Sequence, residues 1–277
     1  MENIRQAIER AKVGDAPAEE DDALNVSLSR RPVVSPTLTP PVERLKPRGR
    51  ESELSKTQLQ ANRIIAHDIA DPRAKAFDML RTQILRTMDL KGWQVLAITS
   101  ATPACGKTLT AINLAISMAR HQERSVPLVD LALRKPQIAN CLGLDCDEGL
   151  LSVLDGRARL GNAVVEAKLG SHRFMVLPTE RSAPGSAELM ASRAMAGMLQ
   201  QIRRDYPART VILDLPPLLS SDDVIALLPQ IDCALLVAAV GTTTIKEIEE
   251  CNRHLQSTNV VRVVLNKVPH AAKPAYY

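Results

Sequence analysis

A strand pattern, a short loop and a helix pattern follow one another near residue 100, and they constrain the fold more than any other feature. Val95 to Ile98 is an apolar run with the composition of a buried strand, and Leu109 to Arg120 has the apolar spacing of a helix. The loop between them ends in Gly106-Lys107-Thr108. This order of elements is typical of a loop that binds phosphate through backbone N–H groups at a helix N-terminus.

Each part of this loop has a predicted role. Lys107 would reach the β- and γ-phosphates of a nucleoside triphosphate, and the Thr108 hydroxyl would bind Mg²⁺. In the usual spacing the loop begins with a Gly, which is replaced here by Ala101. An ordinary strand-to-helix turn with a solvated lysine is the alternative. The residues predicted to contact the nucleotide are Ala101, Thr102, Pro103, Ala104, Cys105, Gly106, Lys107, Thr108 and Leu109.

The rest of the chain alternates strand and helix patterns. The strands predicted after the loop are Val126 to Asp130, Phe174 to Leu177, Val211 to Asp214, Cys233 to Val240 and Val260 to Asn266. Short apolar runs separated by helices predict an α/β fold with a mostly parallel sheet and helices on both faces. Ligands bind such a sheet at the C-terminal ends of its strands.

Two of the predicted strands end in an aspartate. Asp130 and Asp214 would therefore lie at the same edge of the sheet as the phosphate loop. Carboxylates in that position hold a hard cation directly or through water. The predicted metal-binding set is Thr108, Asp130 and Asp214. The alternative for either aspartate alone is a helix cap or a turn residue.

Composition divides the chain into four parts. Residues 1–12 have an apolar face typical of a short amphipathic helix, either a frayed end or a docking helix for a partner. Residues 13–63 are rich in proline and charge, which predicts a disordered linker. Residues 64–268 form the predicted P-loop domain. Residues 269–277 are predicted to be a flexible tail that ends in Tyr276 and Tyr277.

Several classes of protein are disfavoured by composition. A net charge of +4 and an aromatic content of 2% argue against a dedicated nucleic-acid partner. No run of about 18 apolar residues and no signal peptide is found, so we expect a cytoplasmic location. Five cysteines without a Cys-x-x-Cys spacing favour neither a disulfide framework nor a zinc site.

These motifs resemble the bacterial tyrosine kinases of capsule and exopolysaccharide synthesis. That family comprises the CpsD/CapB proteins and the cytoplasmic kinase domain of Wzc-type proteins, in the MinD/ParA branch of P-loop proteins. The resemblance covers about Lys75 to Lys267. Its parts are Gly106-Lys107-Thr108 for Walker A, Leu128-Val129-Asp130 with Arg134 and Pro136 for Walker A′, Ile212 to Pro217 for Walker B, and Val264 to Lys267 for the strand end whose Asn contacts adenine.

The resemblance implies a mechanism. ATP and Mg²⁺ would bind at the loop, with Asn266 at the adenine and Lys107, Asp130 and Asp214 as catalytic residues. Subunits would associate as a homo-oligomer, and Tyr276 or Tyr277 would accept the phosphoryl group. A membrane chain-length protein, the polysaccharide co-polymerase, would be the partner that keeps the chain at the inner membrane.

The sequence also departs from the family pattern. Ala132 replaces the second Asp of Walker A′, Lys75 and Asp78 interrupt a Glu-x-x-Arg-x-x-Arg motif used for oligomer contacts, and the tyrosine cluster is short. An Ala can neither hold a water on Mg²⁺ nor accept the tyrosine proton. Three hypotheses follow: a tyrosine autokinase that regulates polysaccharide polymerisation and export, a catalytically impaired kinase-like regulator of that pathway, or a MinD/ParA-type ATPase.

Overall fold

The computed structural model describes residues 50–120, 126–205, 210–256 and 258–268. Its strands are β1 (Arg50–Glu53), β2 (Val95–Ser100), β3 (Pro127–Asp130), β4 (Val165–Leu169), β5 (His172–Leu177), β6 (Val211–Asp214), β7 (Cys233–Ala239) and β8 (Asn259–Asn266). Its α-helices are α1 (Lys56–Ala61), α2 (Ala74–Lys91), α3 (Lys107–Ala119), α4 (Ile138–Leu142), α5 (Leu150–Leu154), α6 (Leu160–Ala163), α7 (Ser186–Met190), α8 (Arg193–Asp205), α9 (Asp223–Leu227) and α10 (Ile245–His254).

The strands form one sheet in the order β1-β4-β5-β3-β6-β2-β7-β8. All neighbouring pairs are parallel except β4 and β5, which form an antiparallel hairpin. The central strands β2 and β7 are buried along their whole length. Such burial requires cover on both faces, which explains why these strands read as continuous apolar runs.

Helices provide that cover in two layers. Apolar residues of α2, α3 and α4 pack on one face, where Ile84, Ile112 and Leu114 are fully buried. Apolar residues of α5 to α10 pack on the other face, where Met195 and Leu227 are fully buried. The predicted α/β class, with a mostly parallel sheet between helices, is confirmed.

The N-terminal boundary differs from the prediction. Residues 50–61, which composition assigned to the linker, form β1 and α1, and Leu54 and Leu59 join the core. The strand was not visible in the sequence because Arg-Glu-Ser-Glu has no apolar alternation. It pairs through its backbone with β4, and Lys168 forms an ion pair with Glu51.

Some predictions fall on residues that the structure does not describe. These are the helix at 1–12, the linker up to residue 49 and the tail with Tyr276 and Tyr277. Among the helices that the structure does describe, none combines the length and the apolar character needed to cross a membrane.

Candidate nucleotide-binding site

The loop between β2 and α3 has a backbone conformation that depends on residue type at two positions. Gly106 has a φ of 93° and stands at the N-terminus of α3. A Cβ atom at Gly106 would overlap the side-chain amide of Asn266. Ala104 also has a left-handed conformation, with a φ of 62°. The loop therefore turns sharply before α3, and backbone N–H groups at the start of that helix remain free to bind an anion.

Ala101 fits the position that usually carries the first Gly. It is buried, and it is not one of the described residues with a positive φ. Its carbonyl oxygen accepts a hydrogen bond from the backbone N–H of Leu219 at 3.1 Å. No glycine is required here, so the departure from the usual spacing does not disturb the loop.

The other predicted loop residues lie between this buried start and the helix. Pro103 and Ala104 are the exposed tip of the loop, and Thr102 is half-buried beside Cys105. Leu109 is half-buried against the core. Ala101 to Gly106 thus form the loop at the C-terminal edge of the sheet, and Lys107, Thr108 and Leu109 form the first turn of α3.

Two side chains near the C-terminal ends of β7 and β8 contact the loop. Thr243 follows β7, and Asn266 is the last residue of β8. Asn266 donates a hydrogen bond from Nδ2 to the carbonyl oxygen of Cys105 at 2.9 Å. The Cys105 Sγ lies 3.5 Å from Thr243 Oγ1 and 3.6 Å from Thr102 Oγ1. Burial acts to raise the pKa of the Cys105 thiol, but these hydrogen bonds outweigh it and lower that pKa. Contact of Asn266 with adenine stays a prediction.

Asp130 and Asp214 lie directly opposite each other on neighbouring strands. They are register partners in the parallel pair β3 and β6, and neither side chain is exposed. Strands in a sheet lie about 4.8 Å apart, so the two carboxylates are close. Both side chains lie on the face that α3 covers, because the alternate residues Leu128 and Ile212 pack in the same layer as α3. The two acids therefore converge below the phosphate loop.

Asp130 also shapes its own loop. Its carboxylate accepts backbone hydrogen bonds from Ala132 at 3.1 Å and from Gln137 and Ile138 at 2.9 Å each. Asp130 is thus a turn and capping residue, the alternative that the sequence left open, in addition to any role toward a cation. Burial raises the pKa of Asp130, while these N–H groups and the charge of Lys107 act to lower it.

Asp214 has no such partners. It is fully buried, and neither carboxylate oxygen has a hydrogen-bond partner among the described residues. Burial raises the pKa of Asp214 to about 7, and the neighbouring Asp130 adds to the increase. The charge of Lys107 and the Thr108 hydroxyl act to lower this pKa, so both lie near the carboxylate, although the Thr108 hydroxyl does not form a hydrogen bond of normal geometry with either oxygen.

An unpaired buried carboxylate needs a positive or proton-donating partner. A Mg²⁺ ion bound to ATP fits this arrangement, since Mg²⁺ in proteins is held by one or two carboxylates together with waters and substrate phosphates. Within the described parts of the chain, no group of three or more His, Cys, Asp or Glu side chains could hold a metal ion. Phosphate oxygens and waters would therefore have to supply the other ligands. The residues that would hold the ion are Thr108, Asp130 and Asp214.

The loop after β6 supports the phosphate loop through contacts that sequence reasoning missed. Thr99 donates a side-chain hydrogen bond to the carbonyl oxygen of Pro216 at 2.7 Å. The backbone N–H of Leu218 donates to the carbonyl oxygen of Ser100 at 2.8 Å. The paired prolines after Asp214 were the available signal, because a rigid loop can present its carbonyl and N–H groups to a neighbour.

Comparison with known proteins decides the family. The chain is 32% identical to the tyrosine-protein kinase YwqD of Bacillus subtilis over 187 residues, which cover 68% of this chain and 77% of YwqD. The chain belongs to the bacterial tyrosine-protein kinases. It is 30% identical to the tyrosine-protein kinase Etk of Escherichia coli over 209 residues, or 75% of this chain but only 28% of Etk. No family model matches the chain.

Solved structures agree with this kinase family. The kinase domain of E. coli Etk superposes with a TM-score of 0.69 at 29% identity, and the match covers 77% of this chain and 84% of that domain. The cell division ATPase MinD of Pyrococcus furiosus superposes with a TM-score of 0.52 at 21% identity, which shows a shared fold alone. The chain thus corresponds to the kinase domain of Etk and spans little more than a quarter of the whole Etk protein.

Proposed function

We propose that this bacterial tyrosine kinase binds MgATP at residues 101–109 and transfers the γ-phosphoryl group to tyrosine. The observation that carries the proposal is Asp214, a fully buried carboxylate without a hydrogen-bond partner in the described residues, opposite Asp130 and near Lys107 and Thr108. In that arrangement, burial makes ionisation of Asp214 costly, and it raises the pKa of this carboxyl to about 7. A cation bound to a triphosphate would neutralise the ionised carboxylate.

In the proposed reaction the residues of this chain mainly bind and orient. The backbone N–H groups at the start of α3 and the Lys107 ammonium would hold the phosphate oxygens. The bond from the γ-phosphorus to the β–γ bridging oxygen would break and release ADP, a bond to the phenolic oxygen would form, and the phenolic proton would pass to solvent, since Ala132 offers no base. Mg²⁺ supplies charge neutralisation when it is bound with ATP. Positioning and electrostatic stabilisation account for most of such catalysis, so Lys107, Asp130 and Asp214 are the proposed catalytic residues.

Tyr276 and Tyr277 are the proposed phosphoacceptors. They would enter the site of a neighbouring copy, which makes a homo-oligomer part of the proposal. Each added phosphate brings about −1.5 to −2 charge, enough to change how the tail meets a partner. The proposed partner is a membrane chain-length protein of exopolysaccharide or capsule export, with the kinase on the cytoplasmic side of the inner membrane.

Labelling with γ-³²P-ATP tests the proposal. The chain has three tyrosines, so Tyr206→Phe is a matched control for the double variant Tyr276→Phe/Tyr277→Phe. We expect label on tyrosine in the native protein and in Tyr206→Phe, and none in the double variant or in Lys107→Met. Label that persists in the double variant would exclude the tail as acceptor. Failure of the native protein to bind MgATP would exclude the whole proposal.

A second candidate function rests on Ala132. Its side chain is a buried methyl group at the position where the Walker A′ pattern of the resembled family would have its second Asp, and its backbone N–H donates to Asp130. A chain that binds MgATP without transferring phosphate would act as a regulator of the same pathway. Normal MgATP binding with no label on any tyrosine distinguishes this candidate from the autokinase. A MinD/ParA-type ATPase would instead transfer the γ-phosphoryl group to water and release inorganic phosphate.

A further inference from the structure

A buried carboxylate outside the nucleotide site joins the loops that follow the two strand-end aspartates. Asp223 is the first residue of α9, it comes shortly after Asp214 along the chain, and its side chain is not exposed at all. An ionised carboxylate in such a position needs a hydrogen-bonded positive partner. The partner is supplied by the loop after Asp130.

The contacts form a chain of three side chains. The Ser186 hydroxyl lies 2.9 Å and 2.8 Å from the two carboxylate oxygens of Asp223. Arg134 donates from Nε to the Ser186 hydroxyl oxygen at 2.8 Å, and its Nη2 lies 3.5 Å from Asp223 Oδ1. Ser186 is fully buried, whereas the Arg134 side chain is half-exposed. We call Arg134, Ser186 and Asp223 the loop clamp.

The clamp connects the loop that follows Asp130 with the end of the loop that follows Asp214. Arg134 lies in the turn that the Asp130 carboxylate closes by accepting the N–H groups of Ala132, Gln137 and Ile138. The backbone of Arg134 is fixed as well, because its carbonyl oxygen accepts a hydrogen bond from Ser182 Oγ at 2.7 Å. A displacement of Arg134 would therefore move the turn on which the orientation of Asp130 depends.

On the other side, the clamp is continuous with the loop after Asp214. That loop is tied to the phosphate loop by the N–H groups of Leu218 and Leu219, which donate to the carbonyl oxygens of Ser100 and Ala101. Asp223 lies at the end of the same loop. The clamp thus completes a series of contacts that connects the phosphate loop, the loop after Asp214 and the turn around Asp130.

We propose that Asp223 is a positioning residue that acts through Ser186 and Arg134 to set the orientation of the Asp130 carboxylate toward Asp214. The affinity of the site for Mg²⁺ in the presence of nucleotide would depend on that orientation. This inference rests on the proposed function, since it takes MgATP as the ligand. Residues that support metal ligands from outside typically change metal affinity by about 10- to 100-fold when they are mutated.

The test measures Mg²⁺ dependence separately from nucleotide binding. A fluorescent ATP analogue is titrated with the full chain, first in EDTA and then at fixed analogue with increasing Mg²⁺. We expect Arg134→Gln and Asp223→Asn each to raise the half-saturating Mg²⁺ concentration about 10-fold. Binding of the analogue in EDTA should stay unchanged, because neither residue lies in the phosphate loop.

The double variant separates positioning from general damage. If the two residues act as one unit, Arg134→Gln/Asp223→Asn should raise the half-saturating concentration by the same factor as either single variant, and not by the product of the two factors. Arg181→Gln is the matched control, because Arg181 is a similarly exposed arginine whose ion pair is with Asp155. It should leave the Mg²⁺ dependence unchanged.

Three outcomes would overturn the inference: unchanged Mg²⁺ dependence in the single variants, multiplied effects in the double variant, or an equal effect of Arg181→Gln. Where Asp223→Asn does not fold, Ser186→Ala replaces it, since this change removes the bridging hydroxyl without leaving a new charge. Native protein that fails to bind the analogue with Mg²⁺ would contradict the proposed function itself. Native binding with unaffected variants would contradict only the clamp.

Discussion

Replacing Asp214 by Asn should make the stability of the nucleotide-free protein much less dependent on pH. The reason is the burial of a carboxylate that has no hydrogen-bond partner among the described residues. Ionisation of this group is costly in the folded chain and costs nothing extra in the unfolded chain, where water surrounds it. The asparagine side chain has nearly the same shape and does not ionise.

The size and sign of the effect follow from the pKa. An aspartate in an unfolded chain has a pKa of about 3.9, and burial raises the pKa of Asp214 to about 7. The folded state therefore holds its proton more tightly, and the free energy of unfolding falls as the pH rises from about 4 to about 7. At about 1.4 kcal/mol for each pKa unit, the total loss is on the order of 4 kcal/mol, with about 2 to 3 kcal/mol of it between pH 5 and pH 8.

Urea unfolding at pH 5, 6, 7 and 8 in EDTA measures this loss. The one tryptophan of the chain, Trp93, packs against the core and provides the fluorescence signal. We expect the native protein to lose about 2 to 3 kcal/mol more than Asp214→Asn over this range. Asp232→Asn is the control, because Asp232 accepts the N–H groups of Gln94 and Val95 at the opposite end of the sheet. Parallel pH profiles for the native protein and Asp214→Asn would refute the reasoning.

Three further predictions concern the loop, its helix and the catalytic turn. Ala132→Asp should raise the rate of tyrosine phosphorylation at least about 10-fold, since a positioned base contributes about 10²- to 10⁴-fold; phosphotyrosine blotting measures it, and an unchanged rate would show that the missing carboxylate is not limiting. Gly106→Ala should abolish MgATP binding in calorimetry, because a φ of 93° is strained for a residue with a Cβ and that Cβ would also displace the Asn266 side chain; normal binding would contradict the loop geometry. Asn113→Leu should lower the free energy of unfolding in urea by about 2 to 4 kcal/mol. The backbone N–H groups of Ile65 and Ala66, which donate to Asn113 Oδ1 at 2.8 and 2.9 Å, would lose their acceptor. A loss below about 1 kcal/mol would contradict this prediction.

The sequence was sufficient to predict that the candidate site residues lie at one edge of the sheet, because its signals are local. Apolar runs that end in Asp130 and Asp214 placed both acids at one edge of a parallel sheet, since strands of such a sheet share their direction. Adjacency of β3 and β6 could not be predicted in this way. It depends on the strand order, in which β6 lies between β3 and β2 although it comes later in the chain.

Polar elements escaped prediction for a different reason. The strand β1 consists of Arg50 to Glu53 and has no apolar pattern from which it could be predicted. Its pairing with β4 depends on backbone hydrogen bonds and on the ion pair between Glu51 and Lys168. The clamp residues Ser186 and Asp223 lie far from Arg134 in sequence, and only the tertiary fold brings them together. Context of this kind regularly decides strand formation and polar contacts.

The most direct test of the account is the position of the cation. Crystals grown with Mn²⁺ and a non-hydrolysable ATP analogue would reveal the ion by its anomalous scattering. We expect the peak about 2.0 to 2.3 Å from the Thr108 hydroxyl oxygen, with the carboxylates of Asp214 and Asp130 facing it directly or through one water. A peak away from Thr108, or a nucleotide bound outside residues 101–109, would contradict the account.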